Sequence, residues 1–422
     1  MELVLSFNGS RGDVQPGVAL AVALGARGHT VRMAVPPNLV EFARAAGVRA
    51  EPCGTDTRAL LGSELVTRDL KSRNPVARMR AVAEVTHLGA RAAQAELVDI
   101  CAGADAVIGG SVGQERSLTV AEALGVPYLP VHYCPMRSNG IASPLAQWGI
   151  DPPAPVSRAS WRLLEQILWQ TSRTGENRLR SDVGLRSARR PTARRIADQG
   201  VPEIQAYDPS LFPGLSDEWG AGRPLVGFLN LAADTRAQLG ADAPSAALLD
   251  WLDAGEPPVY VGFGSMTVED PARLADTIVR GTQGHRVLVA TGWSDFMSDA
   301  SDDRIHVVGA VDHDTVLPRC SVAVHHGGAG STAAGLRAGV PAVICWLGAD
   351  QPMWGRRVAR AGAGVSGALA ALTATSLRDS IDAALLPASR AAARSLSRRF
   401  IAPVRAVDAA VEIIESAAPS RG

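Results

Sequence analysis

Short apolar runs alternate with amphipathic stretches along most of this chain, and the alternation starts twice. ELVLSF (2–7) reads as a buried strand and QPGVALAVALGARG (15–28) as a helix closing at Gly28, a common place for a helix-ending glycine. HTVRMAV (29–35) is the next strand and PNLVEFARAAG (37–47) the next helix; ADAVIGG, ERSLTVAEALG and VPYLPVHY (104–133) continue the rhythm. It restarts at PPVYVGFGSM (257–266) and runs through DPARLADTIVRGTQG, HRVLVATGW, IHVVGAV, HDTVLPRC, SVAVHHGG, AGSTAAGLRAG and VPAVICWLGADQP to residue 352. Strand–helix–strand alternation requires parallel sheets with right-handed crossovers, covered by helices on both faces. The expectation is therefore an α/β protein with two Rossmann-like units.

The 422 residues suit two to three domains at about 150 residues each. The reading divides them into a first domain over 1–206, a linker over 207–224 and a second domain over 225–400. A helical tail over 401–422 could pack on either domain. YDPSLFPGLSDEWGAGRPLVGFLN (207–230), dense in Pro, Gly and Asp, marks the join. Residues 137–200 break the rhythm. Trp161, Leu164, Ile167 and Leu168 form a helical apolar stripe there, read as an amphipathic helical pair on the first domain, as a wall of an apolar acceptor pocket, or as a membrane-surface patch.

Balanced charge (42 basic, 42 acidic) argues against nucleic acid as a partner. Lys71 is the lone lysine, a pattern expected of GC-rich coding bias. The five cysteines (53, 101, 134, 320, 345) form no CxxC pair, which fits reduced thiols in a cytoplasm rather than a disulfide framework or zinc site. LVLSF is too short for a signal h-region, and no apolar run reaches the roughly 18 residues a membrane span needs.

Two glycine turns carry the chemistry. In HHGGAGST (325–332) a strand ends, glycines let the backbone approach a ligand, and a helix begins, which suits phosphate binding through helix N-terminal amides, Ser331, Thr332 and a histidine. The same letters also make a tight strand–helix turn with packed histidines. Neither GK[ST] nor GxGxxG is present in this turn. Asp350-Gln351, past the end of the next strand, suits bidentate bonding to vicinal hydroxyls or an Asx-type turn before Pro352. GSRGD (9–13) puts Asp13 at the first strand–helix turn as a helix-dipole partner, a phosphate-loop relative or a general base.

GSRGDVQPGVALAVALGARGH, PPVYVGFGSM, HHGGAGSTAAGLRAGVP and ADQPMWGRRVA together resemble the family 1 glycosyltransferases of the GT-B fold, in particular bacterial natural-product and antibiotic glycosyltransferases and sterol glucosyltransferases. The resemblance spans nearly the whole chain. It implies inverting hexose transfer from a UDP- or dTDP-sugar to a hydroxyl of a hydrophobic small molecule, with no cofactor and no required metal. It implies Asp13 as general base with Ser10 beside it. His326, Gly328, Gly330, Ser331 and Thr332 would take the diphosphate, and Asp350 and Gln351 the sugar. Gly264, Ser265 and Val311 would lie at the nucleotide. No DxD pair stands in a donor-like context; SDDRIH (301–306) precedes a strand. Ala310 stands where plant members stack a tryptophan on uracil, Ala334 where they carry a ribose-binding glutamate, and Ser111 where they carry the acid that orients a histidine base. An aspartate base is expected to need no such partner. Two other classes share the fold: a nucleotide-sugar 2-epimerase and a non-catalytic sugar-nucleotide-binding accessory protein. The tryptophan-bearing 137–200 segment disfavours the first, and Asp13 beside an intact donor motif the second.

Overall fold

The computed structural model of the chain describes residues 1–63, 89–240, 243–264, 266, 270–293, 296–297 and 302–418. Twelve parallel strands form two six-stranded sheets. The first holds β1 (Glu2–Ser6), β2 (Thr30–Val35), β3 (Arg49–Pro52), β4 (Ala106–Gly109), β5 (Tyr128–His132) and β6 (Ile204–Gln205) in the order β3-β2-β1-β4-β5-β6. The second holds β7 (Val259–Gly262), β8 (Val287–Ala290), β9 (Ile305–Val308), β10 (Val322–His325), β11 (Ala342–Trp346) and β12 (Gly364–Ala368) in the order β12-β11-β10-β7-β8-β9. The two orders are the same topology: three strands step outward, then the chain returns to the other side of the first. Central strands such as β4, β5, β7 and β8 are buried along their whole length, as strands covered on both faces must be.

This topology fixes where ligands can sit. The order reverses between β1 and β4 in one sheet and between β7 and β10 in the other. Crevices open at such switch points, beyond the carboxyl ends of the strands. Ser6 aligns with Gly109 across β1 and β4, and Gly262 with His325 across β7 and β10. Both glycine turns therefore stand at switch points.

Three sequence expectations change. The helix after β1, α1 (Arg11–Ala26), begins within GSRGD, four residues before the apolar pattern starts, because Asp13 in its first turn reaches back to Ser10. Residues 207–224 are a folded joint. Tyr207, Phe212 and Trp354 meet edge-on with centroids 5.2–6.1 Å apart, and Leu211 and Leu215 are buried beside them. In the 137–200 region the helical pair is unequal, one long helix, α3 (Ala154–Asp182), and a short one over Thr192–Asp198, both packed on the preceding α2 (Gln114–Leu124). The predicted stripe is not its buried face: Ile167 is 43% exposed and Leu168 52%. Polar bonds hold α3 along both halves: near its start Ser157 Oγ donates to Asn139 O at 2.8 Å and Arg158 Nε to Glu218 Oε1 at 2.6 Å. Trp169 and Leu179 are buried, Glu176 pairs with Arg195, and Arg180 with Glu122 of α2.

The last helices close the molecule. Beyond β10 come α4 (Ala329–Arg337) and, beyond β11, α5 (Gln351–Arg360). The final helix, α6 (Pro403–Ala417), lies on α1 of the first domain: Ala406, Ala410, Val411 and Ile414 share an apolar core with Val14, Val18 and Leu24. Glu415 binds Arg27 and His29, each at 2.9 Å. Among the described residues no helix is long and apolar enough to cross a membrane.

Candidate active site

At the β1–β4 switch point Asp13 occupies the third position of α1. Its Oδ2 accepts from Ser10 N at 2.8 Å and from Ser10 Oγ at 2.9 Å, so serine and aspartate fasten one another across the helix start. Tyr133, just past β5, donates its hydroxyl to the Asp13 carbonyl at 2.7 Å. Gly9 (φ +115°) makes the turn possible twice over: its backbone is left-handed, and a Cβ there would lie 2.4 Å from Asp13 Oδ2. Burial pushes the Asp13 carboxyl up to about 6; the Ser10 bonds pull the other way, and the charge of Asp350 from the second domain adds to the rise.

Asp350 stands just before α5. Ala349 ahead of it has φ +55°, the one positive-φ residue other than glycine among those described, a conformation that costs a residue with a Cβ about 1–2 kcal/mol. Strain held at the lip of a crevice is a mark of function. Asp350 Oδ2 accepts from Trp354 Nε1 at 2.8 Å, and burial raises its carboxyl above the ordinary range. Gln351 is less available than its neighbour. Its Oε1 accepts from Leu347 N at 2.8 Å and Gly348 N at 3.3 Å, and its Nε2 rests on Met266 Sδ at 3.8 Å.

At the β7–β10 switch point the two adjacent histidines separate by function. His325 ends β10 in the core, and its Nδ1 accepts from Gly327 N at 3.0 Å, which fixes the turn. His326 is half-buried and turns toward Gly264: a Cβ on Gly264 would lie 3.3 Å from His326 Cε1, and one on Gly328 2.5 Å from His326 Nε2. Burial lowers both imidazoles, His325 to about 3 and His326 to about 4, with the charge of His313 a lesser cause, so both are neutral at pH 7. Gly328 caps α4 without a side chain, and the first backbone bond of the helix is Thr332 N to Gly328 O at 2.9 Å, leaving the preceding amides aimed outward. Gly330 is exposed with nothing near its Cβ position, and Ser331 is half-buried beside it. His326 Nδ1 and Thr332 Oγ1 are buried polar atoms without a partner among the described residues. Orphans of this kind, at a helix N-terminus in a crevice, mark a place where a ligand completes the bonding.

Of the remaining predicted residues, Gly264 (φ +60°) receives Trp293 N on its carbonyl at 3.1 Å, Val311 has its side chain in the apolar core with Leu248 and Leu317, and Ser265 lies outside the described residues. Ser111 Oγ has no partner; Ser10, not Ser111, holds the aspartate. The expectation that Asp13 needs no orienting group is therefore corrected. Sequence reading missed two contributors. Trp354 is four residues after Asp350, a spacing that puts the two on one helix face. Tyr133 reaches the site through the fold and leaves no local signal.

Comparison with known proteins fits this geometry. Residues 3–143 match the glycosyltransferase family 28 N-terminal domain and residues 293–415 the erythromycin biosynthesis protein CIII-like C-terminal domain. An uncharacterized glycosyltransferase of Mycobacterium tuberculosis is 37% identical over 426 residues, covering 99% of each chain. The chain belongs to the GT-B glycosyltransferases of family 1. This glycosyltransferase is also 33% identical to a sterol 3-beta-glucosyltransferase of Arabidopsis thaliana over 379 residues, 87% of this chain and 58% of that one. Among solved structures, the glycotransferase of kitacinnamycin superposes with a TM-score of 0.71 at 18% identity, covering 99% of each chain. The glycosyltransferase VinC, solved in complex with DTDP, superposes at 0.67 and 21% identity, covering all of each chain. These two share the fold.

Proposed function

We propose that this glycosyltransferase moves a hexose, with inversion, from a UDP- or dTDP-sugar to a hydroxyl of a hydrophobic small molecule. The observation that carries the reading is Asp13, a carboxylate raised to about 6, fastened by Ser10 and facing Asp350 across the two domains. A base with that value is ionised at neutral pH yet basic enough to take a proton as it leaves the attacking hydroxyl. The oxygen attacks the anomeric carbon from the face opposite the nucleotide, and the bond to the diphosphate breaks. The charge that gathers on the leaving diphosphate is met by the α4 amides, His326, Ser331 and Thr332. Because His326 is neutral, it serves as a hydrogen-bond donor, not as a cation. Gly328 and Gly330 keep the backbone open to the phosphates, Gly264 and Val311 border the nucleotide, and Asp350 holds sugar hydroxyls with Gln351 bracing its loop. A donor set of amides, hydroxyls and a neutral imidazole needs no divalent ion. Similarity to a sterol 3-beta-glucosyltransferase supports glucose and a hydroxyl on an apolar skeleton.

The test is Asp13→Asn, assayed with UDP- and dTDP-glucose against a panel of hydroxylated apolar aglycones by mass spectrometry. Turnover is expected to fall by about 10²–10⁴-fold while nucleotide binding by calorimetry stays within a few-fold. Unchanged turnover overturns the base assignment. Loss of wild-type activity in EDTA, restored by Mg²⁺, overturns the metal-free account of the leaving group.

A further inference from the structure

The β1–β4 switch point holds a second group of side chains that proton abstraction does not use. Asn8, one residue before the glycine that packs on Asp13, is 9% exposed, and its Nδ2 has no partner. Ser111, just past β4, is half-buried with an unpartnered Oγ, and Arg116, in the first turn of α2, has a buried Nε that donates to nothing. The three converge. A Cβ built on Gly113 (φ +79°), the cap of α2, would lie 3.1 Å from Arg116 Nη2 and 3.3 Å from Asn8 Nδ2. The cap offers no side chain to the helix amides, so the α2 N-terminus faces the same space.

The charge of Arg116 is unanswered there. Among the described residues it forms no ion pair, and the groups that shift Asp13 are Ser10 and Asp350, not Arg116. Neither nearby glutamate pairs with it among those residues. Glu115 is felt as a repelling charge at Tyr128 and Glu176. Glu96 is exposed, accepts from Gly54 N at 2.8 Å and is felt at Cys53. Buried donors without acceptors, beside a half-buried cation, call for a partner that arrives.

We propose that Asn8, Ser111 and Arg116 form an acceptor-side subsite for a carboxylate, so that the favoured acceptor carries an acidic group near the hydroxyl that is glycosylated. The proposal rests on the transferase reading above. One guanidinium edge, one amide and one hydroxyl match the two oxygens of a carboxylate, and one positive charge cancels one negative. A phosphate would bring a second charge for which no second cation is present in the cluster. Carboxylate binding here would orient the acceptor with its hydroxyl over the Asp13 turn, one residue along the same loop.

The experiment compares free acids with their methyl esters, using hydroxy fatty acids and hydroxyaryl carboxylic acids as probes. Transfer from UDP- and dTDP-glucose is read by mass spectrometry, and binding by calorimetry with no donor present. The wild type is expected to favour the acid about tenfold or more in kcat/KM and in affinity, the scale of one charge-assisted contact. Arg116→Gln brings the ratio to about one, mainly through KM, and Arg116→Lys restores part of it. Asn8→Asp places a like charge in the subsite and turns the preference toward the ester. Equal treatment of acid and ester by the wild type, or an unchanged preference in folded Arg116→Gln, overturns the proposal. Absence of transfer to every probe counts against the transferase reading alone, because the calorimetric ratio still decides the subsite.

Discussion

Asp13 ionises against its own burial, and that competition is measurable in two ways. Its folded value of about 6 lies above the ordinary 3.8, so the folded state holds its proton more tightly than the unfolded chain. Activity that depends on the carboxylate should therefore show an acid limb with a midpoint near pH 6. A midpoint near 4 in the pH profile of kcat/KM would remove desolvation from the account. The same sign applies to stability. Ionising Asp13 in place costs stability as pH rises from about 4 through 6, so Asp13→Asn should gain on the wild type in chemical denaturation at pH 7 compared with pH 4. At this scale the motifs were legible: GSRGD and HHGGAG each sit where the sequence put them, at strand ends beside the switch points. The partners were less so. Ser10 is three residues from Asp13 and could have been read as its fastener, whereas Tyr133 arrives from 120 residues away through strand pairing that no local pattern reveals.

The turn between β10 and α4 is an element whose geometry makes a clean prediction. Gly327 has φ +87°, so any side chain there strains the backbone, and its Cβ would lie 2.6 Å from Ile344 Cγ2. Gly328 has φ −61° and ψ 147°, an ordinary extended conformation open to any residue. Its Cβ would instead strike His326 Nε2 at 2.5 Å. Gly328→Ala should thus displace His326 with little effect on folding. We expect nucleotide affinity to drop about tenfold by calorimetry, the loss of roughly one good hydrogen bond, with Tm within a few degrees of wild type. Unchanged affinity would mean that His326 does not touch the diphosphate. Sequence periodicity identified most of these elements because fully buried parallel strands are short apolar runs. It failed on α3 for a physical reason. Apolar spacing shows that a segment is helical, but the face that packs here is fixed by a polar seam, Glu176 to Arg195 and Arg180 to Glu122, and such pairing partners are distant in sequence.

The whole molecule must hold two crevices at one separation, and the sequence was silent on how. Alternation implies parallel sheets but not strand order, and a Pro-Gly-rich stretch implies a join but not its buried aromatic joint. The join is supported by a hydrogen-bonded path between the two working helices. Gln15 of α1, two residues past Asp13, donates to Asn230 Oδ1 at 3.3 Å. Asn230 donates in turn to Asp314 Oδ2 at 2.6 Å, and Asp314 Oδ1 accepts from Arg337 at the end of α4 at 2.8 Å. Arg337, with Arg236, holds the Asp314 carboxyl below its ordinary value against burial, so the path stays charged at neutral pH. It connects α1, which carries Asp13, to α4, which follows the HHGGAG turn. Asn230 is buried and touches neither crevice turn, so Asn230→Ala separates positioning from binding. Nucleotide affinity belongs to the second domain and should change less than threefold, a difference of under about 0.7 kcal/mol. The distance from base to anomeric carbon depends on both domains, and a misplacement of about 1 Å can cost up to 10²-fold in rate, so kcat should fall about tenfold or more. Equal losses in affinity and kcat would instead show a general unfolding of the second domain, and no loss in either would show that the aromatic joint alone sets the separation.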